Sequence, residues 1–201
     1  MANIKHTKNE LKAQREALKR FQRYLPTLQL KKQQLQLEVR QLESQLEAER
    51  NAEAHEQAEL AKWVRLFAEP VEWTNWLSLR EIRIGQGNIA GVAIPLLEGV
   101  DFERQVPDLF ATPAWLDDGV EMLERRVRRR LELQVLEEQM RQLAAELRTT
   151  NQRVNLFEKL KIPEAREHIR VIRIFLGDQM TAGVARSKMA KAKALEKESA
   201  T

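Results

Sequence analysis

Counting from Leu11 in alternating steps of three and four reaches Leu11, Gln14, Leu18, Phe21, Leu25, Leu28, Lys32, Leu35, Val39, Leu42 and Leu46, and nine of these eleven positions are apolar. Such a seam places a narrow apolar stripe along one face of a helix, and that stripe must be covered by another helix. A second seam, counted back from Phe157, runs through Val154, Thr150, Leu147, Leu143, Met140, Leu136 and Leu133. Beyond a phase slip near Pro163 the stripe resumes at Ile162, Ala165, Ile169, Ile172 and Leu176. Composition agrees with long helices: the 201 residues hold only 7 Gly and 6 Pro, Glu outnumbers Asp 25 to 5, and Leu occurs 27 times. Those are good helix formers, and aromatics at 5% are too few for a large sheet core.

The breakers are grouped. Nine of the 13 Gly and Pro lie between Pro70 and Gly119, with Trp63, Trp73, Trp76 and Trp115 in or beside the same window. The expected organisation is an N-terminal coiled-coil arm over residues 1–67, a central knob over 68–113, a C-terminal coiled-coil arm over 114–183 and a basic, frayed tail over 184–201. Two stripes separated by a compact insert predict an all-α fold, a long antiparallel helical hairpin (a two-stranded coiled coil) with a small central β-hairpin. Sixteen apolar seam sites (Leu11, Leu18, Phe21, Leu25, Leu28, Leu35, Val39, Leu42, Leu46, Leu133, Leu136, Met140, Leu143, Leu147, Val154 and Phe157) supply the driving force. At about 1.5–3 kcal/mol for each full burial, the upper bound is tens of kcal/mol. Pro26 opposes its helix by about 3 kcal/mol, but the seam keeps phase across it, so a kink is expected there and not a break. At full helical rise the arms reach roughly 90 and 105 Å. Each arm covers the other's stripe, so the isolated chain is expected to be a monomer.

Within the insert, Arg80 to Ile84 alternates polar and apolar, Gly85-Gln86-Gly87-Asn88 supplies turn residues, and Ile89 to Ile94 alternates again until Pro95. This predicts a β-hairpin turning at the Gly cluster. Trp73, Trp76, Phe102, Leu109, Phe110 and Trp115 are expected to pack around it as a knob at the bend.

Catalytic chemistry has little to stand on. The chain has no Cys, hence no thiol nucleophile, thiolate site or disulfide, which fits a reducing compartment. His6, His55 and His168 lie far apart in sequence, and no pair has the i, i+4 spacing that would put two imidazoles on one metal. Glu164 and His168 share a helix face in the manner of a surface pair. Gly85, Gly87 and Gly91 miss the dinucleotide spacing and have no following Lys-Ser/Thr. Asp117-Asp118 reads as helix capping and dipole compensation. No catalytic, cofactor or metal residue is therefore assigned, and no cofactor is expected. No apolar run approaches the ~18 residues of a membrane span, and the polar start lacks a secretory signal, so a cytoplasmic chain is expected. Net charge is +3 over residues 1–62, −5 over 63–119 and +6 over 120–201. Glu is interspersed through both basic arms, so they offer no continuous phosphate track and no nucleic-acid partner is expected. Arg125, Arg126, Arg128, Arg129 and Arg130 form the densest charge run. It reads either as an ion-paired helix surface or, through Arg125, Arg126 and Arg129, as a collar for an acidic partner.

Three segments occur in order: Thr7-Lys-x-x-Leu11, then Asn88-Ile-Ala-Gly-Val-Ala-Ile-Pro95, then Asn151-Gln-Arg-Val-Asn-Leu-Phe-Glu-Lys-Leu-Lys-Ile-Pro163. Together they resemble the D subunit of the rotary V-type and A-type ATPases, over nearly the whole chain. The resemblance implies a non-catalytic central-stalk axle. It would pair with the F subunit, insert both termini into the hexamer of catalytic A and B subunits and engage the membrane-ring adaptor at its other end, as a cytoplasmic protein peripheral to the membrane. The segment containing Gly87, Asn88, Ile89, Gly91, Val92 and Pro95 is then expected to shape a partner-binding knob. The competing readings are a prefoldin-like chaperone, which calls for apolar helix tips where this chain has Asn3, Lys5 and His6, and a basic coiled coil for nucleic acid.

Overall fold

A computed structural model describes residues 4–62, 65, 69, 71–108, 110 and 112–199, with the backbone alone for 196–199. Helix α1 spans Lys8–Ala61 and runs through Pro26 without interruption. Its start is capped by Thr7, whose Oγ1 accepts from the Glu10 amide at 3.2 Å, with Glu10 itself favourably placed in the first turn. Strands β1 (Leu77–Ile89) and β2 (Val92–Arg104) pair antiparallel as a two-stranded sheet. Helix α2 spans Leu116–Asn155, opening on Asp117 and Asp118, and α3 spans Ile162–Ser199. The chain is mostly helical with a small β-hairpin, as the seams and the grouped breakers predict.

Between α2 and α3, Leu156–Lys161 forms a wide π turn in which the Ile162 amide bonds to the Phe157 carbonyl, five residues back. That is the physical origin of the phase slip. Stepping from Phe157 to Ile162 takes five residues where an α-helix allows three or four, and the wide turn absorbs the extra one. Pro163, with no amide hydrogen to donate, follows directly. Val154, Ile162, Ala165, Ile169 and Ile172 are consequently all buried.

The chain divides into two compact units, residues 31–149 and residues 1–30 with 150–201. In the first of these α1 and α2 run antiparallel, since Lys31 pairs with Glu146 at 2.7 Å, Arg50 with Glu137 at 2.8 Å and Glu56 with Arg129 at 3.0 Å. Its core is a cluster of Leu35, Val39, Leu42, Leu143 and Ile94, with Ile89, Ala90, Val92, Leu136, Met140 and Leu147 packed against it. In the other unit the helices are again antiparallel, with Phe21 against Phe157 (ring centroids 5.4 Å apart) and His6 against Phe175 (4.8 Å).

Several expectations need correction. The hairpin turns at Ala90 and Gly91, not at the Gly cluster. Both have positive φ, 51° and 78°, the conformation of a tight turn whose twist matches that of the strands. The Asn88 side chain accepts from the Gly91 amide at 2.9 Å. Gly85 and Gly87 sit inside β1 opposite Leu96 and Ile94, and a Cβ on Gly87 would come within 2.8 Å of Leu96 Cδ1. They make room for a cross-strand side chain. Both strands are accordingly longer than the alternation indicates. The hairpin is also not a knob at the bend, because its tip lies on α1 near Leu42, ~30 Å of helix from Ala61. Of the aromatic group, Trp73 and Trp115 do meet, with centroids 5.9 Å apart, and Phe102 lies under Arg128. Phe110 is fully exposed instead. Trp63, Leu109 and the expected arm end at Phe67 lie outside the described residues. The tail from 184, expected to be frayed unless a partner orders it, lies in α3 through Ser199 with its side chains exposed over 184–195, which leaves that expectation open. Ala, Lys, Glu and Leu in that stretch favour helix, and no Pro interrupts it.

Candidate interaction surfaces

Every apolar seam residue is covered to some degree. Leu35, Val39, Leu42, Leu46, Leu133, Leu143 and Val154 are buried. Leu11, Leu18, Phe21, Leu25, Leu28, Leu136, Met140, Leu147 and Phe157 are half-buried. The fully enclosed sites lie mainly where the β-hairpin adds a third layer over the helix pair. Thr150, a polar seam position, is also buried.

The hairpin segment expected to face a partner is largely engaged by the chain's own helices. Ile89 and Val92 pack on the Leu35–Val39–Leu42–Leu143 cluster. Gly87 and Asn88 serve the strand and the turn, and Gly91 remains open. The Pro95 carbonyl accepts from Gln139 Nε2 at 2.6 Å. Gln139 is only 6% exposed, and it pins β2 to α2. Residue type alone does not single it out, although it lies three residues after Leu136 and four before Leu143, the spacing of the seam itself. The apolar side chains this hairpin leaves exposed are others: Leu79, Ile82, Ile84 and Leu96.

The arginine run is extensively paired inside its unit. Arg129 bridges Glu56 at 3.0 Å and Glu49 at 3.7 Å, Arg130 reaches Glu53 at 3.8 Å, Arg128 bonds Glu124 at 3.1 Å, and Arg125 lies 3.6 Å from Glu121. Arg129 Nε is buried with no hydrogen-bond partner among the described residues, while the guanidinium ends are paired with Glu49 and Glu56. Arg126 lines a cleft of about 250 Å³ with His55, Glu56, Glu59, Leu60, Met122 and Arg125. The three arginines singled out from the sequence therefore differ, Arg129 being the most committed within the chain.

Among the described residues no three His, Asp or Glu converge on a metal-sized space, and no helix is long and apolar enough to cross a membrane. The perturbed carboxylates all move the same way. Hydrogen bonds from Arg141 and Gln142 hold Glu138 below the usual carboxylate range, while Lys161, Arg170 and Lys62 do the same for Glu164, Glu167 and Glu59. A general acid working near neutrality needs the opposite shift. These are stabilising ion pairs on helix surfaces.

The profile of the ATP synthase D-subunit family matches residues 10–192. The chain is 43% identical over 197 residues to the V-type ATP synthase D subunit of Borreliella burgdorferi, an alignment covering 98% of each chain. It is 36% identical to that of Chlamydia muridarum, covering 96% of each, and 34% identical to that of Chlamydia felis, covering 96% of this chain and 94% of the other.

Proposed function

The chain belongs to the D-subunit family of the ATP synthases, and from that premise we propose that it is the central-stalk axle of a V-type or A-type rotary ATPase. In this reading it couples ATP hydrolysis or synthesis in the A and B hexamer to ion translocation across the membrane. It carries no reaction itself. The observation that bears most weight is an unbroken helix of 54 residues locked to an antiparallel partner by an apolar seam and flanking ion pairs. Torque transmission requires a member that resists bending and twisting. Close-packed interiors supply that resistance, because displacing a seam side chain forfeits contacts on all sides.

Its partners in this reading are the F subunit, the A and B subunits and the membrane-ring adaptor, and it sits on the cytoplasmic side, peripheral to the membrane. Reconstitution of the complex with and without this chain tests the proposal. The A and B subunits should retain ATP hydrolysis without it, while ATP-driven ion pumping is lost. Ion pumping at an undiminished rate in a complex lacking the chain would refute the axle role.

A further inference from the structure

In the unit formed by residues 1–30 and 150–201, two helices face each other across an open cleft of about 690 Å³. From α1 come Arg15, Lys19 and Gln22, and from α3 come Arg166, Arg170 and Arg173. Each trio has the spacing i, i+4, i+7, which sets its members in line along one helix face. The two trios form rails about two helical turns long, with five cations and the neutral Gln22. Between them lie apolar side chains: Ile169, buried at the base, half-buried Leu18, and Ile174, which is 51% exposed and offers most of the open apolar surface.

What distinguishes these cations is their lack of counter-charge. Of the five, Arg170 is paired, with Glu167 at 2.6 Å. Among the described residues Arg15, Lys19, Arg166 and Arg173 have no carboxylate within salt-bridge distance, and Glu16, the nearby acid on α1, lies 4.0 Å from Lys12. The other nearby acids on α3 are Glu164, which pairs with Lys161 at 3.1 Å, and Asp178, four residues past Ile174; neither comes within salt-bridge distance of these four cations. The arginine run of α2 shows the contrast, since four of its five members have acidic partners within the chain. Like charges facing one another across a cleft repel, and among the described residues a carboxylate within salt-bridge distance relieves one of the five, Arg170.

The geometry points to this cleft as a docking site for an acidic amphipathic polypeptide segment of a partner, one that sets apolar side chains on Leu18, Ile169 and Ile174 and Asp or Glu carboxylates on the two rails. The apolar floor decides the class of ligand. A free phosphate or a nucleic-acid backbone has no aliphatic group to place there, and no aromatic side chain lines the cleft to stack a base. A short helix with apolar residues at i, i+3 or i+4, and i+7 matches both the floor and the length of the rails.

Fluorescence anisotropy on the full-length chain provides the test. The probe is a labelled synthetic peptide of about four helical turns, with Leu on one face and Glu elsewhere. It is compared with the same peptide carrying Lys for Glu and with a single-stranded oligonucleotide of similar length. The Glu peptide should bind, weakening as salt is raised, and the Lys peptide should not. Arg166→Gln combined with Arg173→Gln should weaken binding about tenfold. The double Lys replacement should restore most of it, and Arg126→Gln in the other unit should leave it unchanged. Tighter binding of the oligonucleotide would assign the cleft to nucleic acid and overturn the peptide assignment. Failure of the Glu peptide to bind at low salt, or binding indifferent to the Gln pair, would overturn the proposal outright. The measurement uses none of the other subunits, so its failure would leave the axle reading intact, and loss of the axle reading would leave this result standing.

Discussion

Ala90 holds a backbone conformation that an L side chain disfavours, while Gly91 beside it adopts its own without cost. The left-handed region costs a residue with a Cβ roughly 1–2 kcal/mol, so Ala90→Gly should stabilise the chain by a few tenths to about 1 kcal/mol after the added unfolded-state entropy is set against it. Gly91→Val should destabilise it by more than the alanine strain, about 2 kcal/mol, because β-branching compounds the positive φ. Urea unfolding monitored by circular dichroism measures both. Titration behaviour belongs to this scale as well. Glu138 is held below the usual carboxylate range by its bonds to Arg141 and Gln142, and Glu164 by its bond to Lys161. A lowered carboxylate stabilises the fold fully above its unfolded pKa and loses that contribution as pH falls through the folded value. As far as these groups govern it, melting temperature should therefore be flat above about pH 5, where unfolded carboxylates are already ionised, and decline below it. Glu138→Gln should lower the plateau and flatten the decline.

At the scale of elements the wide turn at Leu156–Lys161 is the most diagnostic feature. It exists because the two apolar stripes on either side of it are one residue out of step. Deleting exposed Glu158 would bring Phe157 and Ile162 to ordinary helical spacing, leaving the α3 stripe on the same face with no wide turn required. The deletion should keep helicity and shift the melting temperature by only a few degrees, in the range expected of ~1 kcal/mol. A one-residue deletion at Glu146 is the control. It turns every later seam residue by about 100° away from α1 and should abolish cooperative unfolding. Equal tolerance of both deletions would mean that the stripes do not set the packing.

For the whole molecule, the last stretch of α3 stands apart from the packed core. Residues 184–195 are exposed and take no part in the buried clusters. Truncation after Ala185 should therefore leave the melting temperature intact and, if the chain pairs with the F subunit as proposed, leave that binding intact as well. If the chain is the axle of a rotary complex, the same truncation should lower ion pumping per ATP consumed, because the removed segment lies on the side of the termini. Co-purification with the F subunit followed by a coupling assay reads both outcomes. Loss of that binding with coupling preserved would reverse the assignment of the two ends.

The heptad-spaced leucines determined most of the architecture by themselves. Leu11 through Leu46 and Leu133 through Phe157 specify two helices and the faces they must bury, because a 3.6-residue period leaves an apolar stripe nowhere else to go. The step of five from Phe157 to Ile162 was legible as a slip, though only the backbone shows that a π turn absorbs it. The hairpin's existence was legible from alternation, but its turn was not. Gly85 and Gly87 look like turn residues in one dimension, whereas Leu96 across the sheet claims the space a side chain on Gly87 would need. Gln139 reads as an ordinary helix residue until Pro95 is brought to it from 44 positions away. Charge shows the same division. The arginine run was conspicuous in the sequence, yet Glu49, Glu53 and Glu56 neutralise much of it from another helix. Arg15, Lys19, Arg166 and Arg173, scattered in sequence, become the concentrated positive surface. Periodicity is a property of one helix and can be read from one, but pairing of charges and of backbone groups depends on which helix or strand arrives opposite, and only the tertiary structure decides that.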